Sequence, residues 1–260
     1  MLVPRLIPCL LVHDKGLVKT VQFKNPKYVG DPINAVRIFN EKEVDELIVL
    51  DIDATVRNHE PDYYMIARLA NECNMPLCYG GGIKTPEQAY RILNLGVEKI
   101  ALSSAVIANP GLAADIASVI GMQSVIIVLD VKRVSFPFRD YVVYTCNGTV
   151  STQKKLGILL EKFQSVGVGE FVINSIDRDG MMNGYDLDLV NKVRQAVDVP
   201  ITVLGGAGNI EDIGDLIRHY DIIGAAAGSI FVFKGKYKAV LINYPNRQEK
   251  MALINQNNNQ

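Results

Sequence analysis

PLCYGGG (76–82) returns later in the chain as PITVLGGAG (200–208), and this recurrence decides the fold. Each copy is a short apolar run opened by a proline and closed by glycines, and Gly80 and Gly205 stand 125 positions apart. Two more pairs keep that spacing. IDAT (52–55) and IDRD (176–179) are offset by 124, and Ser104 of LSSAV (102–106) precedes Ser229 of AGSIF (227–231) by 125. A fourth pair, RLIPCLL (5–11) and SVIIVLD (124–130), is offset by 119 and sets Leu11 opposite Asp130. The chain therefore reads as two related halves with different chemistry at one pair of equivalent strand ends.

Working outward, apolar runs rich in β-branched residues recur at 5–11, 47–51, 76–79, 99–103, 124–130, 170–174, 200–204 and 221–226. Near-continuous apolar character predicts strands buried on both faces, as in a parallel sheet covered by helices. Asp31-Pro32, Asn109-Pro110 and Thr85-Pro86-Glu87-Gln88 predict helix starts, the last as a capping box. Eight βα units suit a closed (β/α)₈ barrel. An open doubly wound sheet is the rival, and the half-chain repeat favours the barrel. One barrel domain is expected over 1–250, with 251–260 (through NQNNNQ) as a frayed polar tail.

Composition adds exclusions. Of 260 residues, 48% are hydrophobic and 21% charged, and the net charge is −1, so no basic excess points to nucleic acid or an acidic membrane. Pro4, Arg5 and Pro8 break any leader-like run, and no window suits a membrane span, so a cytoplasmic protein is expected. Cys9, Cys73, Cys78 and Cys146 have no CxxC spacing and read as reduced thiols. The three histidines lack metal-ligand spacing, so no metal or other cofactor is expected. Asn147-Gly148-Thr149 reads as a hairpin turn within a 133–150 insert.

In a barrel the C-terminal strand ends form the active face. Gly82 with Ser103 and Ser104, and Gly205, Gly206, Gly228 and Ser229 half a barrel away, predict two phosphate sites. Glycine lets a phosphate approach backbone N–H groups, and serine hydroxyls add donors. A ligand phosphorylated at both ends fits that arrangement. Between the sites lie Asp51, Asp53, Asp130, Asp177 and Asp179, of which Asp130 ends an otherwise apolar strand and is the preferred acid or base. Lys19 in the long first loop is either a mobile cation over the ligand or a solvated side chain. At the opposite face, Arg5, Glu46, Lys99 and Glu170 each start a strand; their spacing alone suits a plug of two ion pairs.

Over residues 1–235 these features resemble the cyclase subunit of imidazole glycerol phosphate synthase, from histidine biosynthesis. The resemblance rests on RLIPCL, GDP (30–32), DELIVLDI (45–52), GGGI (80–83), LDVKRV (129–134), SIDRDG (175–180), NGYD (183–186) and GGAG (205–208). It implies a glutaminase partner on the N-terminal face and ammonia passing a charged gate and the barrel to a bisphosphorylated substrate. The matching gate residues are Arg5, Glu46, Lys99 and Glu170, which replaces the plug reading. Glu98 and Gln123 match partner-facing positions, and Lys19, Asp179 and Gly180 fall among substrate-binding ones.

The mouth departs from that pattern. The family cyclises with two opposed aspartates, at positions matched here by Leu11 and Asp130; leucine cannot exchange a proton. Ser103-Ser104 replaces Asn-Thr, and Met181 replaces a threonine. Three readings follow. A diverged paralogue would pass ammonia to another acceptor, as in relatives that accompany surface-polysaccharide genes and support amidination of a nucleotide sugar. A true cyclase would recruit Asp51, Asp53 or His13 instead. A non-catalytic conduit would only activate the glutaminase. The sister isomerase of the same pathway is a distant fourth, since it too needs the strand-1 aspartate.

Overall fold

Alternation along each apolar run sorts its residues between two cores, and this builds the molecule. The computed structural model describes residues 3–135 and 140–255. β1 (Arg5–His13) turns back into the antiparallel pair β2 (Gly16–Val21) and β3 (Lys24–Gly30) before α1 (Pro32–Glu41). β4 (Leu47–Asp51), α2 (Tyr63–Glu72), β5 (Leu77–Gly80), α3 (Pro86–Asn94), β6 (Lys99–Leu102), α4 (Ser104–Ala108) and α5 (Gly111–Ile120) complete the first half. The second half repeats the scheme. β7 (Val125–Val134) precedes the antiparallel β8 (Asp140–Thr145) and β9 (Val150–Lys155), then α6 (Leu156–Val166). β10 (Glu170–Ser175), α7 (Leu187–Arg194), β11 (Ile201–Leu204), α8 (Ile210–Tyr220) and β12 (Gly224–Ala227) follow. After β12 come α9 (Ser229–Val232), the short pair β13 (Phe233–Lys234) and β14 (Ala239–Val240), and α10 (Arg247–Asn255).

The parallel order β1-β4-β5-β6-β7-β10-β11-β12 closes through β12–β1 pairing, giving the expected (β/α)₈ barrel. One core lies between strands and helices and includes Leu6, Leu10, Leu47, Val49, Ile127 and Phe171. The alternate residues, Ile7, Cys9, Ile48, Cys78, Ala101, Ile126, Val128, Val172, Leu204 and Ala226, pack together inside the barrel. Leu11 and Leu50 continue that inner set toward the mouth.

Asp31 and Thr85 cap α1 and α3 through the N–H groups of Asn34 and Gln88. Gln88 Oε1 accepts from Lys84 N rather than Thr85 N, so the full capping box expected there is absent; Asn209 and Asp212 form one at α8. Asn109 makes no side-chain cap at α5. The turn at 146–149 joins β8 and β9 as expected, but the insert runs on to Lys155. The eighth strand starts at Gly224, not 221. The expected tail begins inside α10, whose Leu253 packs on the outer core; 256–260 lie outside the described residues. No described helix is long and apolar enough to cross a membrane.

Candidate functional site

A cavity of about 460 Å³ opens at the C-terminal strand ends, a size typical of small-molecule sites. Gly82, Ser103 and Ser104 line one side, and Gly205, Gly206, Gly228 and Ser229 belong to the strand ends half a turn round the barrel. Leu11, Lys19, Asp51, Asp130, Asp179 and Gly180 also line it, so most of the sequence-predicted mouth residues meet here, whereas Asp53 and Asp177 do not line it.

Asp130 is a buried carboxyl on the cavity wall. β7 and β10 pair with Asp130 opposite Asn174, and Asn174 Nδ2 donates to Asp130 Oδ1 at 2.9 Å. Burial, helped by the charge of Asp179 and opposed by the Asn174 bond, pushes the Asp130 carboxyl up to about 7. A carboxyl so placed exchanges protons near neutral pH. Leu11 on the β1 side brings no titratable group. Two buried polar atoms here, Ser103 Oγ and Asn174 Oδ1, have no hydrogen-bond partner among the described residues. Buried polar groups are normally satisfied by protein or ordered water, and both residues line the cavity. Asn174 was missed from sequence, although it, like Asp130, is a polar residue near the end of an apolar strand.

Lys19 belongs to β2 rather than to an irregular loop. The first loop is the β2–β3 hairpin, and Lys19 is buried with Nζ donating to Cys9 O at 2.5 Å. A Cβ on Gly228 would stand 2.2 Å from that Nζ, so only glycine leaves the ammonium its place. Burial lowers the Lys19 pKa against the opposing pull of the Cys9 and Asp179 charges. Asp179 has a second duty: its Oδ2 accepts from Thr20 Oγ1 (2.7 Å) and Phe23 N (3.0 Å), and its carbonyl from Gln22 N (2.9 Å). These bonds pin the hairpin across the mouth.

The candidate substitutes for the missing aspartate separate. Asp51 lines the cavity, with Oδ1 accepting from Asp53 N and Ala54 N, and burial raises its pKa. Asp53 and His13 lie outside the lining and pair with each other at 2.7 Å. His13, Asp14 and Asp53 bring ligand atoms within 4.8 Å of one another, a gathering that spacing did not reveal. Arg57 pairs with both carboxylates, with Asp14 at 2.5 Å and Asp53 at 3.4 Å. Asp177 accepts from Arg133 N at 2.8 Å.

At the other end, Arg5, Glu46, Lys99 and Glu170 form a closed ring of alternating charge. Arg5 meets Glu46 at 2.5 Å and Glu170 at 2.6 Å; Lys99 meets Glu46 at 2.8 Å and Glu170 at 3.0 Å. Each cation thus serves both anions, rather than forming two separate pairs. Burial would raise the Glu170 pKa, but Arg5, Lys99 and Thr202 outweigh it and hold it below the usual range. Glu98 Oε2 accepts from Leu77 N at 2.7 Å, and both Glu98 and Gln123 are exposed just before β6 and β7, on the ring's face. Val3, Met122 and Ile222 are exposed apolar residues before β1, β7 and β12 on that face.

Ring, inner core and cavity lie in one barrel, and its relatives show the family. Vibrio vulnificus subunit hisF3 is 57% identical over 254 residues, covering 98% of this chain and 97% of its own. HisF of Leptospira interrogans is 55% identical over 254 residues, covering 98% and 100%. Both are named provisionally as imidazole glycerol phosphate synthase subunits. Vibrio vulnificus subunit hisF1, whose name carries no such reserve, is 36% identical over 235 residues, covering 89% and 91%. With residues 5–238 matched by His_biosynth, described as histidine biosynthesis protein, the chain belongs to that family.

Proposed function

We propose that this chain is the synthase-type subunit of a glutamine amidotransferase. A glutaminase of the HisH type docks on the N-terminal face, around Glu98, Gln123, Met122 and Ile222. Ammonia passes the Arg5/Glu46/Lys99/Glu170 gate, crosses the apolar bore uncharged, and reaches a phosphorylated substrate in the mouth. The observation that supports this reading is the stacking of charged ring, apolar barrel interior and polar cavity in one barrel. An apolar bore suits neutral ammonia and is costly for ammonium.

At the mouth, the two glycine-serine walls hold the phosphates and Asp130 exchanges the proton. The family reaction forms imidazole glycerol phosphate with two opposed carboxylates. Leu11 removes one, so the acceptor has changed from the histidine-pathway substrate. Support comes from Vibrio vulnificus, which has both hisF1 and hisF3; this chain is far more similar to hisF3. A second copy beside a first is free to serve another ammonia acceptor, such as a nucleotide sugar amidinated for surface polysaccharide.

The test is co-purification with the glutaminase of the same organism, followed by transfer of label from amide-¹⁵N glutamine. A stable pair with faster glutamine hydrolysis is expected. Failure to associate, or hydrolysis unchanged by the barrel, contradicts the subunit reading; association without transfer to any phosphorylated acceptor leaves only the conduit role.

A further inference from the structure

The floor ring has a fifth member that neither charge nor spacing marks. Thr202, fully buried in β11, donates from Oγ1 to Glu170 Oε1 at 2.5 Å and accepts from Arg5 Nη2 at 3.4 Å. Its place is made by a glycine on the next strand. Thr202 pairs in register with Gly224, and a Cβ on Gly224 would fall 1.8 Å from Thr202 Oγ1, inside any tolerable contact. Gly224 is also the register partner of Arg5. The β11–β12–β1 corner is therefore shaped so that one neutral hydroxyl sits between the guanidinium and a carboxylate.

We propose that Thr202 is a positioning residue that latches the floor ring shut through Glu170, with Gly224 as its keyhole. Glu170 carries three kinds of bond: to Arg5, to Lys99, and to Thr202. The ring parts at this corner when Glu170 swings away from both cations. The Thr202 bond is the one holding Oε1 that a net charge change is not needed to remove. A hydrogen bond to a charged acceptor biases such an equilibrium by roughly tenfold or more. The inference rests on the floor being a barrier, as the proposed function holds.

A built-in reporter tests it without any substrate or partner. Cys78 faces the bore, pairs in register with Lys99, and is almost fully buried. Cys9 lies higher, at the cavity wall. Methyl methanethiosulfonate at pH 8, with peptide mass analysis, reads the modification rate of each thiol in the full chain. Thr202→Val keeps the shape and removes the hydroxyl; Thr202→Ser keeps the hydroxyl; Arg5→Met breaks the ring outright.

Expected results are a Cys78 rate about tenfold higher in Thr202→Val, an unchanged Cys9 rate, and restoration in Thr202→Ser. Arg5→Met should raise the Cys78 rate further. If Arg5→Met accelerates Cys78 and Thr202→Val does not, the floor is a barrier but the latch is refuted. Equal acceleration of Cys9 and Cys78 in Thr202→Val means general loosening and also refutes it. If neither variant changes Cys78, the barrier reading of the floor fails and the latch with it.

Discussion

The floor and the mouth of this barrel are built by the same alternation of inward residues, yet they treat polar groups in opposite ways. At the floor every buried charge has its partners within the protein: two cations, two carboxylates and a threonine close on themselves. Among the described residues at the mouth, the Asp130 carboxyl is held by Asn174 rather than by an ion pair, and Ser103 Oγ and Asn174 Oδ1 have no partner. The contrast teaches where to look for each kind of function. The ring charges satisfy one another, whereas polar atoms of the cavity wall are open to whatever occupies it.

The largest effect separating the two regions is expected at Asp130. Asp130→Asn keeps the shape and removes the proton exchange, so whatever turnover the mouth supports should fall ~10²–10⁴-fold. The fold should survive, as near-native circular dichroism and thermal unfolding would establish. The floor should answer with stability instead. Glu170→Ala leaves Arg5 and Lys99 sharing one anion, and chemical denaturation should register a loss of about 3 kcal/mol. That lies toward the low end for a broken buried pair, because both cations keep about a fifth of their side-chain exposure.

Next comes pH. The folded Asp130 carboxyl titrates at about 7, above its unfolded value near 4. The folded state thus binds the extra proton between those values, and stability falls as pH rises through that window. In Asp130→Asn this fall should disappear, leaving the variant more stable relative to wild type at pH 8 than at pH 4. A pH-independent difference in unfolding free energy would show that Asp130 is not a buried acid. The Glu170 contribution runs the other way. Its depressed pKa supplies stability above the unfolded value that is lost as pH falls through the folded one. The smallest effect is expected at the hairpin: Asp179→Ala removes the bonds to Thr20 and Phe23, which should cost about 1–3 kcal/mol locally. Faster amide exchange across residues 16–30, with barrel strands unaffected, would register it.

Much of this was legible in the sequence, and the misses have a common cause. Strands, barrel closure, both walls of the cavity, Asp130 and the ring charges follow from apolar runs and from what ends or begins them. Those signals are local. Thr202, Asn174 and Gly224 matter through cross-strand register, which no single run contains: Thr202 reads as one more β-branched strand residue until Gly224 is seen opposite. Lys19 read as a loop residue because β3, KNPKYVG, is exposed and carries Pro26, and a two-stranded flap outside the barrel needs no apolar alternation. The final helix escaped notice for a related reason, since RQEKMALIN shows weak amphipathic contrast. His13 and Asp53 are 40 residues apart and meet only because β1 and β4 are neighbours.

The most direct measurement is turnover of the family's bisphosphorylated substrate by the purified chain with ammonium salt at mildly alkaline pH, beside the Leu11→Asp variant. The expected result is a silent wild type and a variant that gains cyclisation, because Leu11→Asp restores a carboxylate at the strand end equivalent to that of Asp130. A wild type that cyclises at a rate Leu11→Asp does not improve would contradict the account and return the chain to the histidine pathway.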